Sequence, residues 1–345
     1  VINDVHAHLW PQCATFTKKG IHKRLLDAAV VLIRWGDWLK DKGIDVGFIN
    51  GDLVHPRGFL YHQVYHVLRH AFQSIKQMGI TLHAIPGNHD LDSEGRHHVW
   101  DAFSRWVTVH DRPEIIELGG VRVAVQPYLS EPLEVIQVAR RLRKAHVLMG
   151  HMAIQNMPAH GGYIWGLEVP RDQLPPDPYY ISGHYHQYKV VDEHFLYTGA
   201  PMQHTWGDEG ESKGMWAFTL YDDLRPLPQV YTMLHGIPKF LTLPYDDPRV
   251  QTRAIDGNFV RLVIPRDVSP TDRRALVASI AGKARWVGVV SAPPGARAAG
   301  VSTPDQAQSV KSSVVTYVKQ HVPVKQQKTY ARQGWTYVKE AMRQS

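Results

Sequence analysis

Cysteine is nearly absent: Cys13 is the only one in 345 residues. An internal disulfide is therefore excluded, and nothing in the chain requires an oxidising compartment. Long hydrophobic runs are also missing. No stretch approaches the roughly 20 apolar residues of a membrane span. The first residues show no basic region followed by a long apolar run, so no membrane association and a cytoplasmic location are the expectations. With 43% hydrophobic and 21% charged residues, disordered, collagenous and small disulfide-scaffold classes are excluded as well. The opening Val1-Ile2-Asn3-Asp4 has no Met, and a first strand beginning upstream of Val1 is expected.

Histidine is plentiful, with 21 residues. Neutral imidazole is the commonest protein ligand of transition metals. The formal charge of +7 is unevenly placed: residues 246–345 carry 16 Lys and Arg against 7 Asp and Glu, and residues 1–245 carry 23 against 25. A basic C-terminal region is compatible with a phosphate-rich partner or an acidic protein surface.

Short apolar runs at Val46–Asn50, Ile80–Ile85, Val121–Val125, His146–Met149 and Tyr179–Ser182 read as buried strands, each followed by a polar or glycine-containing loop. Between the first two, Tyr61–Met78 repeats Val64, Val67, Leu68, Ala71, Ile75 and Met78 at helical spacing and closes on Gly79. A strand–helix–strand crossover implies parallel strands, and ligand sites of open α/β sheets gather at their carboxyl ends. From about Trp216 to Leu243 the pattern suits antiparallel strands. Phe259–Pro265, Ser269–Ala281 and Trp286–Val290 then read as a compact β-α-β unit, and Ser291–Pro304 is a linker by composition. Beyond it, Asp305–Val322 and Gln326–Arg343 carry helical stripes that include Val314, Tyr317, Tyr330 and Trp335.

Five of the expected loops present metal-ligating side chains. Asp4-Val5-His6 places a carboxylate and an imidazole two apart, on one side of an extended chain. Gly51-Asp52, Gly87-Asn88-His89-Asp90, Gly150-His151 and Gly183-His184-Tyr185-His186 each follow an apolar strand. Each is weak alone, and their joint appearance in this order is not. His8 competes with the Asp4/His6 pair. His62, His66 and His70 recur every four residues along one helix face without carboxylate partners and read as an exposed or packed face. Arg96, His97 and His98 are as consistent with a solvated helix start as with a nucleic-acid contact, and His160-Gly161-Gly162-Tyr163 with a plain turn as with a cleft wall. Trp100, Trp106, Trp165 and Trp206 read as core or rim aromatics.

The ordered set D-x-H, G-D, G-N-H-D, G-H and G-H-x-H resembles the calcineurin-like metallophosphoesterases over about residues 1–205. Gly51-Asp52-Leu53-Val54-His55, the long helix before Gly87, the later β-α-β unit and the terminal helices resemble the SbcD branch, the nuclease subunits of SbcCD and of the eukaryotic MRN complex. The Ser/Thr phosphatases fit worse, because Gly-Asp-Leu-Val-His-Pro-Arg replaces their G-D-x-x-D-R-G. The resemblance implies an α/β four-layer sandwich, two mixed β-sheets flanked by helices. It further implies a nuclease domain at 1–246, a capping domain at 247–292, a linker at 293–304 and an ATPase-partner-binding helical segment at 305–345.

The resemblance also implies two divalent metal ions. Asp4, His6 and His186 would hold one, Asn88, His151 and His184 the other, and Asp52 would bridge. Oxygen and imidazole ligands without thiolate suit Mn²⁺, with Fe²⁺, Zn²⁺ or Mg²⁺ as alternatives. His89 would act on the transition state or leaving oxygen, with Asp90 or His55 orienting it. The expected partners are DNA, an SbcC-like ATPase and a second copy paired through Tyr61–Met78. The family's Gly-Ser-Pro turn is replaced by Gly199-Ala200-Pro201, and the C-terminal tail is short. A DNA exonuclease and endonuclease is the leading expectation. A small-substrate phosphodiesterase or phosphatase is the alternative, and a non-catalytic DNA-end-binding scaffold is disfavoured by the complete ligand set.

Overall fold

The structure is a computed structural model that describes residues 1–155, 157, 168–220, 226–231 and 236–292. The linker at 293–304, the helices at 305–345, Trp165 and the turn at 160–163 lie outside the described residues.

The chain first builds α1 (Lys23–Asp41), β1 (Val46–Asn50), α2 (His62–Gln77), β2 (Thr81–Ile85) and β3 (Val107–Val109). The strands pair in parallel in the order β1-β2-β3, as the crossover through α2 demands. Of the predicted stripe of α2, Val64, Leu68, Ala71 and Ile75 are buried against this sheet and α1, Val67 and Met78 are partly buried, and Phe72, outside the predicted stripe, is buried with them. His62, His66 and His70 lie on its exposed face. The N-terminal segment runs beside β1, where Ile2 bridges Ile49 in parallel.

The second sheet comprises β4 (Glu114–Leu118), β5 (Val121–Gln126), β6 (Val147–His151), β7 (Tyr179–Gly183), β8 (Lys189–Asp192) and β9 (Phe195–Tyr197), in the order β4-β5-β6-β7-β9-β8. Its four inner strands are parallel, and β4 and β8 are antiparallel edges. Helix α3 (Pro132–Leu142) covers its outer face through Val135, Ile136, Ala139 and Leu142. Phe48, Ile85, Val123, Val125, Val147, Met149 and Ile181 pack between the two sheets. The layers are therefore α1 and α2, first sheet, second sheet, α3, the four-layer sandwich expected from the sequence. The carboxyl ends of β1, β2, β6 and β7 meet at one edge.

An antiparallel pair, β10 (Met215–Leu220) and β11 (Pro226–Tyr231), follows. The next strand corrects the sequence reading. β12 (Phe240–Pro244), grouped above with the antiparallel strands, pairs in parallel with β13 (Phe259–Pro265), which pairs in parallel with β14 (Trp286–Ala292). Periodicity identified an apolar strand here, but periodicity carries no information about its partner. Helix α4 (Pro270–Ala281) starts on Ser269, whose hydroxyl accepts the Asp272 N–H. The small unit has its own core of Leu243, Val250, Ile255, Val260, Leu262, Ile264 and Ile280.

A buried polar chain lies between the first sheet and its neighbour. His83 on β2 stacks on Phe48 at 5.0 Å between ring centroids. Its Nδ1–H donates to His110 Nε2 at 2.9 Å, and His110 Nδ1–H donates to Glu114 at 2.7 Å. Burial, with His110 adding to it, pushes His83 down to about 4. The unfolded chain binds a proton there below about 6.5, and the folded chain does not until about 4. Stability therefore falls as pH drops through that window. The urea midpoint of the metal-free protein is expected to be lower at pH 5 than at pH 7, with a smaller fall in His83→Phe. A midpoint independent of pH over this range contradicts the assignment.

Candidate metal centre

The site begins with three close approaches of backbone. A Cβ at Gly51, where φ is +87°, would overlap the His151 ring. One at Gly87 would overlap Asp52, and one at Gly183 would overlap the Asn50 carbonyl and lie 2.9 Å from His151 Nδ1. The glycines of three motifs are thus required by how tightly the loops from both sheets converge.

The N-terminal segment is tied to the loop after β1: Asp4 N–H donates to the Gly51 carbonyl at 3.0 Å, His6 N–H to Asp52 at 3.0 Å and Ala7 N–H to Leu53 at 2.8 Å. Asp4 and His6 reach the same site, but not from the extended chain expected above. Their φ values are +50° and +46°, and Asp52 and His184 are also left-handed, at +54° and +98°. Non-glycine residues seldom occupy this region, at a cost of about 1–3 kcal/mol each, and such residues cluster at functional sites.

Two groups of side chains converge on Asp52. On one side, His6 Nε2 lies 2.9 Å from His186 Nε2, 4.0 Å from Asp4 Oδ1 and 3.6 Å from Asp52 Oδ2. On the other, Asn88 Oδ1 lies 3.0 Å from both His151 Nε2 and His184 Nδ1, and His151 Nε2 lies 3.4 Å from Asp52 Oδ2. All seven expected ligands are therefore together, with Asp52 between the groups. The His151 Nδ1–H donates to the Asn50 carbonyl at 2.8 Å, which fixes the ring and leaves Nε2 as the coordinating nitrogen.

Electrostatics prepare this donor set. Burial, reinforced by His186, His89, His204 and His55, holds His6 well below the usual imidazole range. Burial, then His151, pushes His184 down to about 3. Both rings are neutral and offer lone pairs. Burial opposes charge on Asp52, but His151 and His89 outweigh it and hold the carboxyl below its ordinary range. Burial likewise opposes charge on His151, and Asp52 overcomes it, raising His151 to about 9, so this ring carries a proton on Nε2 in the metal-free protein and must release it to bind a cation. Two carboxylates, one amide oxygen and four imidazoles, with no thiolate, fit a pair of divalent cations. Ligand atoms of Asp4, His6 and His186, and of Asp4, Asp52 and His151, each lie within 4.8 Å of one another.

The expected catalytic residues are separated by function. His89 is half-buried beside the ligands: its N–H donates to Asp52 Oδ1 at 2.8 Å, and its Nδ1–H donates to the His55 carbonyl. His55 stacks on His89 at 5.1 Å and 16°, and its Nδ1 is 3.4 Å from His6 Nδ1. Asp90 instead brackets two loops, accepting from Leu53 N at 2.8 Å, Val54 N at 3.3 Å, Gly87 N at 3.0 Å and Trp100 Nε1 at 2.9 Å. The His89 ring is oriented by the His55 main chain, and Asp90 holds the loop from which it projects. His8 lies off the ligand groups, near Trp10 and Tyr61 at 5.4 and 5.8 Å. Sequence reasoning missed His204, whose Nε2–H donates to the Asp4 carbonyl at 2.8 Å. It stands well into the loop after β9 and not directly behind the strand, so the pattern that marks the ligands does not mark it.

Residues 1–188 match the calcineurin-like phosphoesterase family, and the chain belongs to it. Membership implies a metal-dependent phosphoester hydrolase with two divalent ions. The chain is 28% identical over 193 residues to exonuclease subunit 1 of Enterobacteria phage T4. That match covers 53% of this chain and 55% of the phage protein, so the chain spans about half the length of that relative. Among solved structures, a dimetal phosphatase from Danio rerio aligns with 8% identity and a TM-score of 0.39, over 67% of this chain and 97% of its own. A protein of unknown function from Aquifex aeolicus aligns with 17% identity and a TM-score of 0.26, over 49% and 81%. Among the described residues no helix is long and apolar enough to cross a membrane.

Gly87→Ala is expected to displace the Asp52 carboxylate and weaken metal binding by about 10–100-fold in calorimetric titration of the metal-free protein. Gly282→Ala, where a Cβ meets nothing within 4 Å, should bind as the wild type does. Equal affinity of the Gly87 variant contradicts the packing argument.

Proposed function

We propose that this protein is a Mn²⁺-dependent DNA nuclease subunit of the SbcD type, an exonuclease and endonuclease working in the cytoplasm with an SbcC-like ATPase in DNA end processing. The observation that carries this reading over a small-molecule esterase is the attachment of the β12–β14 unit to the loop that follows the metal centre. Phe240 N–H donates to Gln203 Oε1 at 2.8 Å, Trp206 packs on Phe240 at 4.8 Å, and Arg285 pairs with Asp27 at 3.0 Å. A capping element beside the site serves a polymeric substrate. The phage relative is an exonuclease subunit, which agrees with this reading.

Asp4, His6 and His186 would hold one ion, Asn88, His151 and His184 the other, with Asp52 between them. When bound, the ions would supply water activation and charge neutralisation on the phosphoryl oxygens. His89 keeps its Nδ1–H on the His55 carbonyl, so proton transfer to the leaving deoxyribose oxygen runs through Nε2. His55 restricts rotation of that ring by stacking on it, and Asp90 fixes the loop that presents it. The basic segment at 305–345 is assigned to the ATPase, and the exposed face of α2 to a second copy.

The test is incubation of the purified protein and Mn²⁺ with linear duplex DNA, single-stranded DNA and bis-p-nitrophenyl phosphate. Wild type should degrade DNA, His89→Ala should lose about 10²–10⁴-fold in rate while retaining metal, and Asp52→Ala should lose metal and activity together. Turnover of the small diester with DNA untouched, also after addition of the ATPase, overturns the nuclease reading in favour of a small phosphoester.

A further inference from the structure

The segment after β9 holds a buried polar assembly that the ligand set does not use. His204 is 1% exposed, and its Nε2–H donates to the carbonyl of Asp4 at 2.8 Å. A carbonyl only accepts, so the proton sits on Nε2. The ring lies 5.2 Å from His6 and 5.2 Å from His186, between centroids, and therefore wedges behind both imidazoles of one ligand group. Asp4 is one of the left-handed residues, and this hydrogen bond acts on the peptide unit that leads from it to His6.

His204 is itself held from three sides. Its N–H donates to Asp208 Oδ2 at 2.8 Å, and its carbonyl accepts from Arg24. Gln203, its neighbour, accepts from Phe240 of the capping sheet. Asp208 is fully buried, and its Oδ1 pairs at 2.9 Å with Lys213 Nζ, which donates to the carbonyl of His186 at 2.7 Å. One end of the assembly thus grips the main chain of Asp4, the other the main chain of His186, and Asp208 joins them. Arg24 extends it outward, with its guanidinium 4.8 Å from the Trp10 ring and 5.4 Å from those of Phe240 and Phe259. The second ligand group has its own support, the His151 bond to Asn50, and meets this assembly only through the Asp4 carboxylate, which accepts from the His184 N–H at 3.2 Å.

We propose that His204 is a positioning residue that sets the Asp4–His6–His186 half of the metal centre, with Asp208, Lys213 and Arg24 holding it in place. Its role is that of a single hydrogen-bond donor at the Nε2 position. It acts chiefly on one ion, and it operates whichever phosphodiester the enzyme cleaves, so its test is independent of the nuclease reading.

The experiment titrates metal-free protein with Mn²⁺, following free aqueous ion by electron paramagnetic resonance, in wild type, His204→Leu and His204→Gln. Leucine fills the space without a donor. Glutamine places an amide N–H where Nε2 stood. The leucine variant should bind one of two ions about 10–100-fold more weakly and the other within about threefold of wild type, with glutamine restoring the first to within about threefold. Two ions bound by the leucine variant as tightly as by wild type overturn the proposal. So does equal weakening of both ions, or a glutamine variant as defective as leucine, which would mean that the ring only fills space. If the leucine variant does not fold, His204→Asn, too short to reach the Asp4 carbonyl, takes its place with the same expectations.

Discussion

A single carboxylate constrains the whole site. Asp52 is buried at the end of β1, within 3.4–3.6 Å of imidazoles delivered by the N-terminal segment and by β6 of the other sheet. Removing a carboxylate from water costs several kcal/mol, so its position must be compensated locally. The His89 N–H and His151 supply that compensation in the metal-free protein. The loops can come this close only because Gly51, Gly87 and Gly183 carry no side chain. Two sheets packed face to face, glycine at each crossing and left-handed conformations at Asp4, His6, Asp52 and His184 are all consequences of bringing ligands from both sheets to one anion.

The remaining polar residues divide into those that meet a metal or substrate and those that fix the former. Asp90 spends all four of its contacts on two loops and an indole. His55 contributes a carbonyl to His89 and a ring face that limits its rotation. The loop after β9 plays the corresponding part for Asp4 and His186. Such outer contacts set ligand orientation as firmly as the ligands set the ion, and here they also join the centre to the β12–β14 sheet through Gln203 and Arg24.

Much of this was legible in the sequence. The five principal strands and the α2 crossover followed from apolar runs and helical spacing, and parallel pairing followed from the crossover. The seven ligands were readable through the family resemblance, and five of them, Asp52, Asn88, His151, His184 and His186, stand at the ends of buried strands, where α/β sheets place their sites. The local backbone at Asp4 and His6 was not readable, since a left-handed conformation at a non-glycine residue is imposed by tertiary contacts. The parallel pairing of Phe240–Pro244 was hidden for a related reason, because an apolar strand looks the same whichever neighbour it takes. His204 was overlooked because it serves a backbone carbonyl, and no pairwise spacing with the ligands marks that role.

The central claim is that one bridging carboxylate divides seven ligands into two cation sites. Anomalous diffraction from crystals soaked in Mn²⁺ tests it most directly. The account predicts two peaks, one among Asp4, His6 and His186 and one among Asn88, His151 and His184, with Asp52 touching both. A single peak, or one placed away from Asp52, would contradict it.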